Sequence, residues 1–486
     1  MSAESDLKHQ VIHSLKWVTI GKVFTQVIRW AITFWVIRLL TPEDYGIVAM
    51  ANVFFWFLIL LAGSLFTPTI IQAKTITTST LKQLYGMIII VQLSLFLLQQ
   101  ALAKPISLYY NSNEVMDILQ VSAWCLIIYS FQIIPSAMLA RDMEFKSVSI
   151  ATAVANIVAA FLTLALAYAG YGYWSLVISE LFLAALLTAI TFYIKPFLHL
   201  PSFGISEIKD HLKFGSLFTV HSILFYIFLY MDVAIAGRYL DVTEVGFLAV
   251  AIQLSTMPQK KIIPLIKQVA FPAFSKLQNQ PSKISYYLLK AQKLSLLISI
   301  PIFWGLASVI DLIIPLVLGE KWNNAIIPTM FILLIMPLRF SDELFSPALK
   351  SLRKVKHLII NAVILIAIMS TAIFIGVDYG STGIALAWCI GFPVAYVITT
   401  YRNIRMLSIA PLNYIKIFTT PIISGIAMLL TVTTLKSFSE NIDVLMLSVS
   451  IALGASVFLA TTFIIDKDSI TQLRNLKKPK KQLSDQ

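Results

Sequence analysis

Charge is the scarcest commodity in this chain. Only 13% of its 486 residues are Asp, Glu, Lys or Arg, while 58% are hydrophobic and the mean hydropathy is +0.83. A water-soluble chain of this length needs a far more charged surface, so a soluble globular fold is excluded. Cysteine is nearly absent as well. Cys125 and Cys389 both fall in apolar runs, which suggests neither a disulfide framework nor a metal site. No GxxxxGK[ST] phosphate loop occurs and no His/Cys/Asp cluster has metal-ligand spacing. The connections between apolar runs are too short to form a domain outside the membrane. No cofactor is indicated.

What the chain does have is long apolar runs, each near the roughly 20 residues that a spanning helix needs. Fourteen candidate spans are predicted, over 11–40, 45–65, 84–102, 115–138, 147–169, 173–194, 212–236, 245–263, 291–318, 325–345, 357–376, 382–401, 415–435 and 444–465. The fold class is an all-α polytopic membrane protein. The first apolar segment is too long and too charged for a cleavable signal. With a cytoplasmic N-terminus, 29 of the 37 Lys and Arg fall on the inner side, five on the outer side and three within the first span. That bias is the positive-inside rule and places both termini in the cytoplasm. The net charge of +13 therefore implies no nucleic-acid partner, and the tail KKPKK (477–481) is a solvated end drawn to anionic lipid.

Two stretches repeat each other 200 residues apart: RLLTPEDYGIVAMA (38–51) and RYLDVTEVGFLAVA (238–251). Each offers an N-cap residue with an acid three positions on, Thr41 with Asp44 and Asp241 with Glu244. Both fit a helix start in which side chains satisfy the orphan N–H groups of the first turn. Each copy is thus a hairpin at the outer face. GYGYWSLV (170–177) and GSTGIALA (380–387) echo each other as Gly-rich turns before later spans. Residues 1–200 and 201–410 are predicted to be two six-helix lobes related as a parallel repeat, with 411–486 adding two helices and a basic tail. The longest outer loop is expected at about 103–114 and the longest inner one at about 264–290.

Ionisable residues inside a span are costly and are functional candidates by default. Thr19, Lys22, Gln26, Arg29 and Thr33 follow helical spacing and share one face of the first span. Lys22, Gln26 and Arg29 are candidates for binding an anionic head group, because a guanidinium grips phosphate oxygens in a bidentate way. Pairing with Glu180 or Asp232 is the alternative reading of these cations. Glu180, Asp232 and Asp311 are candidates for coupling transport to a proton or sodium gradient, or else for local pairing. His221 on the seventh span is a packing residue or a proton relay.

RLLTPEDYG (38–46), LYYNSNEV (108–115), LARDMEF (139–145), GYGYWSLV (170–177) and LGEKW (318–322) together resemble the Wzx-type branch of the polysaccharide exporter and flippase superfamily. The resemblance covers nearly the whole chain. It implies two lobes forming a V around a central cavity, alternating access, and no enzymatic activity. It further implies a cargo of undecaprenyl-diphosphate-linked oligosaccharide in the bacterial inner membrane, ion coupling, and work alongside a polymerase and other assembly proteins. A drug or small-solute exporter of the same fold, a polymerase or ligase acting on the glycolipid, and a non-transporting scaffold are the other readings.

Overall fold

A computed structural model describes residues 26–72, 76–142, 144–204, 216–438 and 443–467. Among the described residues the regular elements are all helical, with no strand. In chain order they are a helix over 26–39 (α1), then Pro42–Gln72 (α2), Thr78–Tyr110 (α3), Asn113–Ser122 (α4), Trp124–Arg141 (α5), Phe145–Tyr168 (α6) and Trp174–Ile194 (α7). There follow Ser216–Tyr239 (α8), Val242–Lys276 (α9), Pro281–Ile313 (α10), Ile326–Asp342 (α11) and Phe345–Ser351 (α12). The last four are Val355–Gly376 (α13), Gly380–Met406 (α14), Pro411–Ser437 (α15) and Val444–Ile465 (α16). Eleven helical stretches among the described residues are long and apolar enough to cross a membrane. The all-helical polytopic class holds; these eleven do not by themselves establish fourteen.

Helix starts follow the local chemistry read from the sequence. At α2, Asp44 Oδ2 accepts from the Thr41 N–H and Oγ1, both at 2.9 Å, while the Asp44 N–H donates back to Thr41 Oγ1 at 3.2 Å. At α9 the cap is Asp241, whose Oδ1 accepts from the Glu244 N–H at 2.9 Å. Both acids also reach a distant helix start. Asp44 Oδ1 accepts from the Tyr173 N–H at 2.8 Å, and Glu244 Oε2 accepts from the Ser381 N–H at 2.9 Å.

Two predicted loops are helical instead. The expected outer loop over 103–114 is mostly the end of α3, which continues through Pro105 to Tyr110 before α4 starts at Asn113. The expected inner loop over 264–290 is the end of α9 and the start of α10, joined by residues 277–280 alone. Hydropathy marks the apolar part of a helix, and backbone hydrogen bonding carries the helix past it.

The chain divides into two compact units, Met1–Thr219 and Val220–Gln486. In the first, Phe55 of α2, Cys125 of α5 and Ala184 of α7 form one buried cluster. Phe66, Ile70, Leu84, Ile88 and Ile134 join α2, α3 and α5 in another. The LARDMEF segment fastens helix ends: Arg141 donates to the Ile70 carbonyl at 2.8 Å, and Asp142 pairs with Lys195 at 2.7 Å. The Asp142 hydrogen bond, then its charge, raises the pKa of the exposed Lys195. Beyond α7 the chain lies along α3, with the Ser202 N–H donating to the Lys82 carbonyl at 2.9 Å. A Cβ on Gly86 would sit 2.3 Å from the Ser202 carbonyl oxygen, so only glycine admits this approach.

In the second unit α10 packs against α11, α15 and α16. Ion pairs join it to the last two helices: Lys436 of α15 holds Asp311 at 2.7 and 2.6 Å, and Lys293 meets Asp466 at 2.5 Å. α13 and α14 touch at glycines, where a Cβ on Gly383 would stand 2.0 Å from the Gly376 carbonyl oxygen. Trp322 of the LGEKW segment is fully buried against Phe247. Helix faces turned outward stay apolar, as Ile390, Val394 and Val397 of α14 illustrate. Contiguous apolar exposure of this kind suits contact with lipid.

Candidate functional site

In the first unit, α1 carries Gln26, Arg29 and Thr33, all half-buried, and Thr33 Oγ1 donates to the Arg29 carbonyl at 2.8 Å. Lys22 and Thr19 lie outside the described residues. Glu180 of α7 lies within electrostatic reach of Arg29. Local packing explains the position of Glu180. Its neighbour Leu181 and, one turn on, Ala184 seat α7 against Phe55 and Cys125. Tyr129 of α5, one turn after Cys125, also faces the Glu180 carboxylate. The structure thus brings together two residues that the sequence offered separately, Arg29 as a ligand and Glu180 as a coupling group. A guanidinium has five N–H donors, more than one carboxylate can accept, so such a pair retains capacity for an anionic ligand.

In the second unit Asp232 is buried at 2% exposure on α8. It accepts from the Val233 N–H at 2.8 Å, and Arg339 of α11 lies within its electrostatic reach. Arg339 is itself buried, with its Cζ 4.4 Å from the Trp388 ring centroid and 6.0 Å from that of Phe228. Phe228 precedes Asp232 by one helical turn and so presents to the same side. Three helices, α8, α11 and α14, therefore enclose one carboxylate, one guanidinium and two aromatic rings.

Arg339, one of the 29 cations that the sequence assigned to the inner side, is instead buried in the helix packing. It lies inside the predicted span 325–345, in the run IMPLRF, and that position was the available signal. Trp388 carried no signal, because a tryptophan in a span is ordinary packing until a cation is found on its face.

Further along the same unit, Lys267 forms an ion pair with Glu343, and His221 faces Lys350 and Lys267. Asp342 lies near Glu343, Lys267 and Arg339. Asp311 is elsewhere: Lys436, which also donates to the Ser308 carbonyl at 2.8 Å, holds its carboxylate where α10 meets α15. The three acids offered as coupling groups therefore occupy three different settings. Among the described residues no three His, Cys, Asp or Glu side chains are grouped to hold a metal ion.

The chain is 25% identical over 476 residues to an uncharacterized membrane protein in the cps region of Klebsiella pneumoniae, covering 97% of this chain and 98% of that protein. It is 21% identical over 480 residues to the succinoglycan biosynthesis transport protein ExoT of Rhizobium meliloti, covering 97% and 96%. Among solved structures, lipid II flippase MurJ in its inward closed conformation superposes with a TM-score of 0.75 at 18% identity, over 93% of this chain and 99% of that one. The transporter fold is thereby shown, and the resemblance drawn from RLLTPEDYG and LARDMEF holds. A family model described as "Polysaccharide biosynthesis protein" matches residues 36–327, and the chain belongs to that family.

Proposed function

We propose that this protein is a flippase that moves a lipid-linked oligosaccharide across the bacterial inner membrane by alternating access. The observation that carries the proposal is Arg29, a half-buried cation on the helix 26–39, inside an apolar run in a chain of the polysaccharide biosynthesis family. Full-length similarity to a protein named as a succinoglycan biosynthesis transport protein supports export over polymerisation. The fold shared with a lipid II flippase supports a polyprenyl-diphosphate cargo. In this reading Lys22, Gln26 and Arg29 bind the diphosphate, while the polyprenyl tail remains in lipid. The two lobes, 1–200 and 201–410, rock between inward- and outward-open states, with 411–486 appended to the second. Of the three candidate acids, Asp232 and Glu180 are the coupling groups for a proton or sodium gradient, whereas Asp311 is engaged by Lys436 in a helix joint. Asp232 leads, because it is buried beside a buried guanidinium whose charge balance changes whenever the acid is neutralised. Both termini are cytoplasmic, and a polysaccharide polymerase takes the delivered cargo.

The test is genetic depletion followed by leaflet-selective labelling of the lipid-linked sugar. Accumulation on the cytoplasmic leaflet is expected. Normal outer-leaflet delivery with unpolymerised product would assign the protein to polymerisation instead.

A further inference from the structure

The two hairpins that echo each other in sequence both end in a long-range hydrogen bond. Asp44 and Tyr173 are 129 residues apart, and Glu244 and Ser381 are 137 apart. In each case a carboxylate on the first turn of one helix accepts from the backbone N–H at the start of another. The glycine before each donor is also matched. Gly172 has φ +52° and Gly380 has φ +71°, both in the left-handed region. A Cβ would stand 2.9 Å from Asp44 Oδ1 at the first and 3.1 Å from Glu244 Oε2 at the second. The capping chemistry differs between the copies, since Asp44 closes its own cap whereas Asp241 does so for Glu244. The distant contact recurs even so.

What lies below each contact is also matched. Seven residues after Tyr173 comes Glu180, and seven after Ser381 comes Trp388. Seven residues are two helical turns, about 10 Å along the axis. The hairpin on the other side of each contact leads back to α1, with Arg29, and to α8, with Asp232.

We propose that Asp44 and Glu244 are positioning residues. Each ties a hairpin to the helix opposite it and thereby sets the register of a charged site within the helices, Arg29 near Glu180 in one unit and Asp232 with the Arg339–Trp388 stack in the other. The use made of those sites rests on the flippase reading; their register does not. A charge-assisted N–H to carboxylate bond at a helix N-terminus is among the stronger polar contacts, which suits a device that fixes axial position. The polarity of the two sites is inverted. The hairpin helix brings the cation in the first unit and the acid in the second, so the repeat conserves the positioning contact while the charges it aligns differ.

The chain contains its own reporters. Cys125, at 1% exposure, sits between Phe55 of α2 and Ala184 of α7, the two helices that Asp44 ties. Cys389 follows Trp388 and donates its S–H to the Phe331 carbonyl at 3.1 Å. Maleimide labelling of the full-length protein in nanodiscs reads both thiols at once. Asp44→Ala is expected to speed labelling of Cys125 by about tenfold and to leave Cys389 unchanged, with Glu244→Ala giving the reverse. Asp44→Glu and Glu244→Asp should label at the rate of the unmodified protein, since each introduces the acid that the other unit already uses. If an alanine variant fails to accumulate, Asp44→Asn or Glu244→Gln, weaker acceptors of the same shape, should show the same thiol selectivity. Unchanged labelling of the matching thiol, or equal acceleration of both, would overturn the proposal. No transported cargo is needed, so this result is independent of the leaflet assay.

Discussion

Arg339 stacks on Trp388 with its Cζ 4.4 Å from the ring centroid, and the buried Asp232 lies within electrostatic reach of the same guanidinium. One aromatic face thus lies against the cation of a buried charge pair. A cation over an aromatic face is attracted by the ring quadrupole, most strongly where water is excluded.

Removing one member of such a pair leaves the other charged and unpaired. Arg339→Ala is expected to destabilise the protein by about 3–5 kcal/mol. Adding Asp232→Ala should restore much of that loss, and a double-mutant cycle on thermal unfolding in detergent should give a coupling energy above about 1 kcal/mol. Additive losses would mean that the two charges are not partners.

Arg29 and Glu180 require a different test, because their pairing could be the whole of Arg29's role. Arg29→Ala is expected to lower transport at least about tenfold in protein that folds normally, as expected for loss of a charge-assisted contact. The double variant Arg29→Ala with Glu180→Ala should remain inactive if Arg29 contacts the anionic cargo. Recovery in the double variant would reduce Arg29 to a counter-ion for Glu180.

Asp232 and Asp311 separate by setting. Asp311→Asn should weaken a partly exposed joint between α10 and α15, costing about 1 kcal/mol or less, and retain most transport. Asp232→Asn should lose transport and its dependence on an ion gradient. Vesicle transport with and without an imposed gradient distinguishes them; equal losses would place both acids in the coupling machinery.

At Gly383 there is no room for a side chain. Gly383→Ala puts a methyl group 2.0 Å from the Gly376 carbonyl oxygen, so α13 and α14 must separate. Overpacking at a backbone contact costs about 1–3 kcal/mol, readable as a lowered melting temperature, whereas Gly63→Ala, with open space around it, should be neutral.

Much of this was legible in the residues themselves. Low charge and apolar runs gave the membrane class, and RLLTPEDYG gave helix caps that the Thr41–Asp44 contacts reproduce. Arg29, Glu180, Asp232 and Asp311 stood out because ionisable groups in apolar runs are rare. Their partners did not stand out. Arg339 sits near the end of an apolar run, where a cation ordinarily reaches solvent, and only tertiary packing buries it. The second role of Asp44 and Glu244 was hidden for the same reason: a cap is local, whereas a bond to Tyr173 or Ser381 depends on how distant helices pack. The overlong α3 and α9 were missed because the prolines Pro105 and Pro264 near the ends of the predicted spans read as helix breaks, whereas the backbone continues helical past them.

The most direct test is reconstitution. Purified protein in proteoliposomes carrying undecaprenyl-diphosphate-linked oligosaccharide in the inner leaflet should expose that sugar to a membrane-impermeant reagent added outside, and Arg29→Ala protein should not. Equal exposure in vesicles with the protein, with the variant and with no protein would contradict a flippase.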